Sequence, residues 1–189
     1  ANVNASEQFT VSIGYSVTPS PPIIQEGDSI TLNVAVTGGS LGTSYGANID
    51  VALPSGETYR TAVTLGPPNV KGTASKQLTF PSDSFSPSGA VTDYAGAYVL
   101  TFNDTLAKSQ FNVNILDSTS YHRGQTMVIR AMGYQAKQAA IITVASGSET
   151  LDSISVTASV DGIISTTWMV TANVPIGECN VKIKPEGAQ

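Results

Sequence analysis

The sequence predicts an all-β protein made of two sandwich domains in tandem. Apolar and polar residues alternate with period two in short runs that recur about every ten to fifteen residues, as in sandwiches and barrels. Gly, Pro, Asn and Asp bound these runs, and no long segment keeps the period of a helix. The 189 residues suffice for two domains of about 100 residues, each able to bury its own core.

The first strand is predicted near the N-terminus, over residues 8–18. Its apolar residues share one face because each is separated from the next by a polar or small residue. They are Phe9, Val11, Ile13, Tyr15 and Val17. The prolines between Pro19 and Pro22 end this strand, since proline lacks a backbone donor and has a fixed φ.

The predicted N-terminal domain covers residues 1–117 and contains further strands. A turn at residues 26–28 leads into them. They are predicted over residues 30–36, 45–53, 58–65, 74–80, 94–103 and 106–115. Two long loops, residues 38–45 and 81–93, lie between strands and are rich in residues that form turns.

The predicted C-terminal domain covers residues 118–189 and is smaller. A short polar linker at residues 117–120 precedes it, and five alternating runs follow. The predicted strands are residues 127–134, 139–146, 151–160, 163–170 and 178–184. We expect the two domains to lie end to end, because the linker between them is short.

Short turn and strand signatures in this second domain resemble bacterial and archaeal immunoglobulin-like repeats, including the macroglobulin-type kind. The signatures are Gly124-Gln125-Thr126, Gly133-Tyr134, Asp161-Gly162 ahead of Ile163–Trp168, and Val174–Gly177. The first domain is similar in outline at Glu26–Ile30 and Gly96–Tyr98. The resemblance implies two immunoglobulin-like sandwiches and a scaffold role in surface layers, adhesins or filaments.

Charge argues against a nucleic-acid partner, and the lengths of the apolar runs argue against a membrane-spanning segment. Nine Lys and Arg face fourteen Asp and Glu, giving a net charge of −5, and the cations are scattered. Nucleic acid is excluded as an expected partner, since binding to phosphates needs clustered Lys and Arg. No apolar run approaches the roughly 20 residues of a membrane-spanning helix, so we expect no direct membrane span.

Two features favour a secreted, cell-surface location. The chain begins Ala-Asn-Val-Asn without an initiator Met, as after removal of a signal peptide. Asn4 and Asn103 begin the sequons Asn4-Ala5-Ser6 and Asn103-Asp104-Thr105. We therefore expect N-linked glycans at one or both of these asparagines.

The residue types and motifs in the sequence do not support an enzymatic function. His122 is the only histidine, and no serine lies in a Gly-x-Ser-x-Gly motif. One His and one distant Cys cannot form a zinc or iron site. Several Asp residues lie in predicted loops without the spacing of a calcium loop, so turn formation is the favoured interpretation while calcium binding stays open. We expect a non-enzymatic protein without a cofactor.

Two residues that occur once have structural interpretations. Cys179 lies in a predicted strand, which favours a buried and inert thiol. Trp168 shares a strand face with Ile164 and Val170, which favours core packing over a ligand platform.

These observations predict a homopolymer that forms an extracellular assembly. In this hypothesis the N-terminal strand, with Phe9, Val11, Ile13, Tyr15 and Val17, is donated to the sandwich of a neighbouring subunit. The alternative is an ordinary first strand within its own domain. A monomeric adhesion or ligand-binding module, using the loops at residues 38–45 and 81–93, is the alternative function.

Overall fold

The computed structural model describes residues 7–82, 84–103 and 106–186. Within these ranges it contains thirteen β-strands and no helix, which confirms the all-β class. The strands are β1 Gly14–Ser20, β2 Ile23–Gln25, β3 Ile30–Thr37, β4 Tyr45–Ala52, β5 Thr58–Leu65, β6 Ala74–Phe80, β7 Gly96–Phe102, β8 Ala107–Asn114, β9 Thr126–Ala131, β10 Ala139–Ser146, β11 Glu149–Thr157, β12 Ile164–Met169 and β13 Asn180–Pro185.

The residues group into two compact units. Unit 1 comprises Ala1–Pro22, Ile30–Ala90 and Tyr98–Phe111, whereas unit 2 comprises Ile23–Ser29, Val91–Ala97 and Asn112–Gln189. One segment near the N-terminus and one from the middle of the chain thus group with the C-terminal residues. The sequence-based boundary at residue 117 and the number of independent domains stay predictions.

Unit 1 is built around two sheets with an aromatic core. Strand β3 lies between β1 and β6 in an antiparallel sheet, and β8, β7, β4 and β5 lie side by side in the other. Alternate residues of β3 are buried and intermediate, as the sequence pattern predicts. The buried aromatic side chains are Tyr59, Phe80, Phe85, Tyr98, Phe102 and Phe111.

The strand at the N-terminus is shorter than predicted. Strand β1 begins at Gly14 and pairs antiparallel with β3, with Val17 opposite Val34. Residues 7–13 belong to no strand. The predicted strand is therefore correct only over its second half, and Phe9, Val11 and Ile13 precede it.

Unit 2 consists of two small sheets and one parallel pairing. Strand β10 lies between β11 and β13 in one antiparallel sheet, and β12 pairs with β9 in the other. Leu116 forms an isolated bridge with Ile129 beside β9. The short strand β2 pairs parallel with the end of β8. The sequence did not predict β2, which directly follows the prolines that end at Pro22.

A tight turn joins the two sheets of unit 2 ahead of β12. Gly162 has φ of +75°, and a Cβ atom at this position would lie 2.2 Å from the carbonyl oxygen of Tyr134. The Tyr134 N–H donates to the Gly162 carbonyl at 3.1 Å. Only glycine fits this close approach of two backbones.

Candidate functional site

A cavity of about 530 Å³ lies between the two sheets of unit 2. Strands from both sheets contribute to its wall, since Met127 and Trp168 are opposite each other in β9 and β12, while Val144 and Val181 are opposite each other in β10 and β13. Loop residues complete the lining: Leu116, Thr119, Ser120, Tyr121, His122, Arg123, Val170, Val174, Pro175, Ile176, Gly177 and Cys179. The wall is thus largely apolar with a polar rim.

Hydrogen bonds hold the loops at the rim. Arg123 donates through Nε and Nη2 to the carbonyl of Val174, at 3.0 and 2.6 Å. The Tyr121 hydroxyl donates to Asp117 at 2.7 Å and accepts from the Ser118 N–H at 2.9 Å. Burial and the hydrogen bond to Asp117 raise the pKa of Tyr121 above its usual value of 10.0, so this hydroxyl stays protonated at physiological pH.

Trp168 borders the cavity instead of filling the core. Its side chain is partly exposed and packs against the edge of the buried cluster of unit 2. The indole Nε1 donates to Asp152 at 2.8 Å. The expectation of core packing is therefore met in part, with one face of the ring left toward the cavity.

The prediction of a buried Cys179 is wrong. The thiol is exposed, and the residue lies in the loop just before β13, because that strand begins at Asn180. A short shift of the strand start thus moves the side chain from the predicted core to the rim of the cavity.

The part of the chain that the structure describes brings together no set of three His, Cys, Asp or Glu residues able to hold a metal ion. His122 is exposed, and its backbone N–H donates to the Gln125 side chain at 2.6 Å. Among the bonds described, neither His122 nor Cys179 has an acidic hydrogen-bond partner, whereas the Tyr121 hydroxyl is bonded to Asp117. The arrangement is suited to binding an apolar group.

A second polar cluster in unit 2 surrounds a buried carboxyl group. Glu26 is 4% exposed, and its Oε2 accepts from the Met132 N–H at 2.7 Å. Burial raises the pKa of Glu26 to about 7, although the N–H groups of Met132 and Ala95 act against the rise. Burial likewise raises the pKa of Asp93.

Neighbouring hydrogen bonds support this cluster. Gln25 donates through Nε2 to the carbonyls of Ile115 and Val128, at 3.0 and 3.1 Å, and Arg130 pairs with Asp28. The sequence around residues 26–28 predicts only a turn, since the groups that bury Glu26 are distant along the chain. These bonds tie the segment Ile23–Ser29 to strand β9.

The structure separates the five residues of the predicted donor strand. Phe9, Val11 and Ile13 are 88%, 77% and 43% exposed. Tyr15 packs against Phe102 with ring centroids 5.0 Å apart, and Val17 is buried in unit 1. Donation stays a prediction, and only the first three side chains are free of the unit 1 core.

The structure describes one of the two predicted glycosylation sites, Asn103. Asn4 lies outside the described residues. Asn103 follows β7 with φ of 42°; its Oδ1 accepts from the Asn48 N–H at 2.6 Å, and its Nδ2 lies 3.4 Å from the Gly46 carbonyl. The side-chain amide thus supports the turn, and its glycosylation stays a prediction.

Over the described ranges, no helix is long and apolar enough to cross a membrane. No protein-family model matches the sequence, and no curated protein matches it. The resemblance to immunoglobulin-like repeats therefore stays a prediction at the level of family.

The solved structures to which this chain is similar belong to proteins with different functions. The Pseudomonas fluorescens alkylpurine DNA glycosylase AlkC, bound to DNA containing an abasic site analog, is 14% identical over 53% of this chain and 30% of its own, with a TM-score of 0.34. A tetra-tandem repeat from the extending region of a large adhesion protein is 11% identical over 92% of this chain and 45% of its own, with a TM-score of 0.36. The Escherichia coli alpha-2-macroglobulin is 13% identical over 86% of this chain and 12% of its own, also at 0.36. This chain spans less than half of each of these proteins, and TM-scores this low carry no argument about function.

Proposed function

We propose that this chain is a non-enzymatic, extracellular structural protein, a subunit of a cell-surface assembly such as a filament or surface layer. Subunits join through the N-terminal segment of each chain. The observation that carries the proposal is the exposure of three alternating apolar side chains, Phe9, Val11 and Ile13, ahead of β1. Such a set is costly to leave in water and is what an added β-strand presents to an open sandwich.

The all-β fold supports this function. An exposed strand edge presents unpaired N–H and C=O groups to another chain, so sandwiches assemble readily by strand addition. A contact between different surfaces of two copies extends as a fibre when the rotation between successive copies does not close a ring. No catalytic arrangement is required for this role.

The test compares the intact chain with a variant that lacks residues 1–13. This deletion leaves β1 and its pairing with β3 in place, so the variant is expected to fold. Light scattering after size exclusion and electron microscopy are expected to show long particles for the intact chain and monomers for the variant. The pair Phe9→Asp and Val11→Asp, introduced together, is expected to act like the deletion. The pair Thr10→Asp and Ser12→Asp adds the same two charges on the polar face and is the matched control.

An intact chain that stays a 19.5 kDa monomer at high concentration would contradict the proposal. Assembly that persists without residues 1–13 would contradict the role of the N-terminal segment. Circular dichroism on each variant separates loss of assembly from loss of the fold.

A monomeric ligand-binding module is the second candidate function. The cavity in unit 2 favours it, since its volume of about 530 Å³ falls in the range of small-molecule sites and Trp168, Tyr121 and Arg123 line it. Nuclear magnetic resonance with small aromatic probes tests this candidate. Saturable shifts of the Trp168 indole signal by a monomeric chain would favour the module over the assembly.

A further inference from the structure

We propose that residues Phe9–Ile13 of one chain add as a β-strand to the free edge of β13 in a second copy, with their apolar side chains over the cavity of unit 2. This inference rests on the proposed assembly and names the surface that accepts the donated segment. The donated segment is then shorter than the strand predicted from the sequence, since Tyr15 and Val17 remain in unit 1 of their own chain.

The free edge of β13 follows from its pairing. Among the described residues, β13 pairs with β10 on one side only. The Glu186 N–H donates to the Ala139 carbonyl at 2.8 Å, so the antiparallel register directs the backbone groups of Lys184 and Lys182 toward β10. The N–H and C=O groups of Val181 and Ile183 therefore point away from β10.

Pro185 fits the same assignment. It follows Ile183 by two residues, so its nitrogen faces the open side, where its missing N–H breaks no bond to β10. The edge open to a partner thus centres on Val181 and Ile183. The whole strand β13 has six residues, so at about 3.3 Å per residue it is long enough to pair with the five residues of Phe9–Ile13.

The cavity lies beside this edge. Val181 and Cys179 line it from the β13 side, and Leu116 lines it from the segment that bridges to β9 in the other sheet. The side chains of Val181 and Ile183 point inward and pack only partly against the buried cluster. A strand added to β13 would place alternate side chains over the same apolar surface.

The segment that precedes β1 is complementary to this surface. Phe9, Val11 and Ile13 alternate with Thr10 and Ser12, which gives one apolar and one polar face. Its aromatic side chain suits a cavity of about 530 Å³ whose wall is largely apolar.

Charge favours the same pairing. Lys182 and Lys184 are exposed on β13, and Glu7 is the one charged residue of the described segment before β1. Lysines on an edge strand discourage random pairing, and a partner that brings a carboxylate meets less resistance. A second copy of this chain brings both the apolar alternation and the acidic residue.

The native Cys179 provides the test, because it is the only cysteine of the chain and is exposed at the cavity. A second cysteine is introduced singly as Phe9→Cys or Ile13→Cys, at either end of the apolar face that lies on the same side as Cys179, which leaves the other two apolar side chains intact. A disulfide needs Cα atoms about 4.4–6.8 Å apart, so at least one of these positions is expected to form a bond with Cys179 of another copy. Mild oxidation and non-reducing electrophoresis are expected to show a ladder of covalent oligomers.

Two kinds of control variant define how much crosslinking the pairing is expected to produce. Leu41→Cys and Val70→Cys place exposed cysteines elsewhere in unit 1, and Cys179→Ser removes the acceptor thiol. Pairing holds the two thiols at a high effective concentration, so ladder formation is expected to exceed both surface controls by about tenfold or more. Adding Cys179→Ser to the best donor variant is expected to abolish the ladder.

Three results would overturn the inference. One is crosslinking no better than in the surface controls while electron microscopy still shows filaments, which places the acceptor elsewhere and leaves the proposed assembly standing. Another is an internal disulfide confined to the monomer, which places the segment on its own chain. The third is a ladder that is unchanged when Val11→Asp is added to the donor variant. Absence of any assembly in the unmodified chain would instead contradict the proposed function itself.

Discussion

Unit 1 and unit 2 are both small β-sandwich arrangements, but their cores are filled differently. In unit 1, Phe80 contacts Phe85, Tyr98 and Phe111 with ring centroids 5.0 to 6.3 Å apart, and all four side chains are buried. The buried cluster of unit 2 consists of aliphatic side chains and one methionine, with its aromatic residues only partly buried at the margin. Unit 1 is closed by aromatic rings, and unit 2 keeps a cavity.

The difference is also seen in how a central strand of unit 1 and an edge strand of unit 2 are covered. Strand β3 of unit 1 is paired on both sides, and its inward side chains are fully buried. Strand β13 of unit 2 is paired on one side, and its inward side chains are only partly covered. Unit 1 has edge strands too, β1 and β6, so the contrast lies in side-chain packing: we expect unit 1 to respond to core truncation and unit 2 to respond to added volume.

The largest expected difference comes from removing one aromatic ring from each unit. Phe111 stacks on Tyr98 at 4.9 Å and is fully buried, so Phe111→Ala is expected to lower the free energy of unfolding by about 3–5 kcal/mol. Trp168 is partly exposed, so Trp168→Ala is expected to cost only about 1–2 kcal/mol. Urea unfolding followed by near-ultraviolet circular dichroism measures both, and equal costs would contradict the contrast.

The next prediction concerns the buried carboxyl group of unit 2. The folded state raises the pKa of Glu26 from 4.5 to about 7, so the folded chain binds the proton more tightly than the unfolded chain. Protonation of Glu26 therefore stabilises the folded state, by an amount on the order of 3 kcal/mol. This contribution to the free energy of unfolding is complete below about pH 4.5 and is lost as pH rises through about 7. Glu26→Gln, which keeps an acceptor for the Met132 N–H, is expected to flatten most of this pH dependence.

Thermal unfolding between pH 4.5 and 8 measures the effect of Glu26→Gln. Glu149→Gln on the exposed face of β11 is the matched control and is expected to leave the slope unchanged. Asp93, whose pKa burial also raises, adds a smaller dependence of the same sign that Glu26→Gln does not remove. A slope that survives in full would show that Glu26 is not the main titrating group.

The smallest expected effect comes from one added methylene in each unit. Val144 lines the cavity, so Val144→Ile is expected to stabilise the chain by about 0.5–1 kcal/mol. Val34 is fully buried in the packed core of unit 1, so Val34→Ile is expected to cost about 1–3 kcal/mol. Opposite signs in chemical unfolding support the contrast, and two losses of similar size would count against an open cavity in unit 2.

The alternation of apolar residues predicted most of the strands. Strands β3, β5, β6 and β10 lie within a residue of their predicted bounds. In β3 and β5 the buried side chains alternate with more exposed ones along the whole strand, as the sequence pattern predicts. Periodicity failed at residues 9–13, where an alternating run has no partner strand in unit 1. Pattern alone identifies a strand that is able to pair and does not show whether a partner is present.

The cavity and the buried acid depend on residues that are distant along the chain. Glu26 is buried by a segment near Met132 and another near Asp93, and no local pattern indicates that these meet. The rim position of Cys179 depends on where β13 starts, which the sequence pattern predicted at residue 178, two residues too early. Nothing in the sequence indicated that β13 would be an edge strand, because an edge is a property of the whole sheet.

Residue-resolved amide hydrogen exchange of β13 tests the central claim most directly. In the isolated chain at low concentration, the Val181 and Ile183 amides are expected to exchange much faster than those of Lys182 and Lys184, which bond to β10. In β3, which is paired on both sides, no such alternation is expected. Adding a peptide of residues 7–19 is expected to protect Val181 and Ile183 selectively. Uniform protection along β13 without the peptide, or no added protection with it, would contradict an open edge that accepts the N-terminal segment.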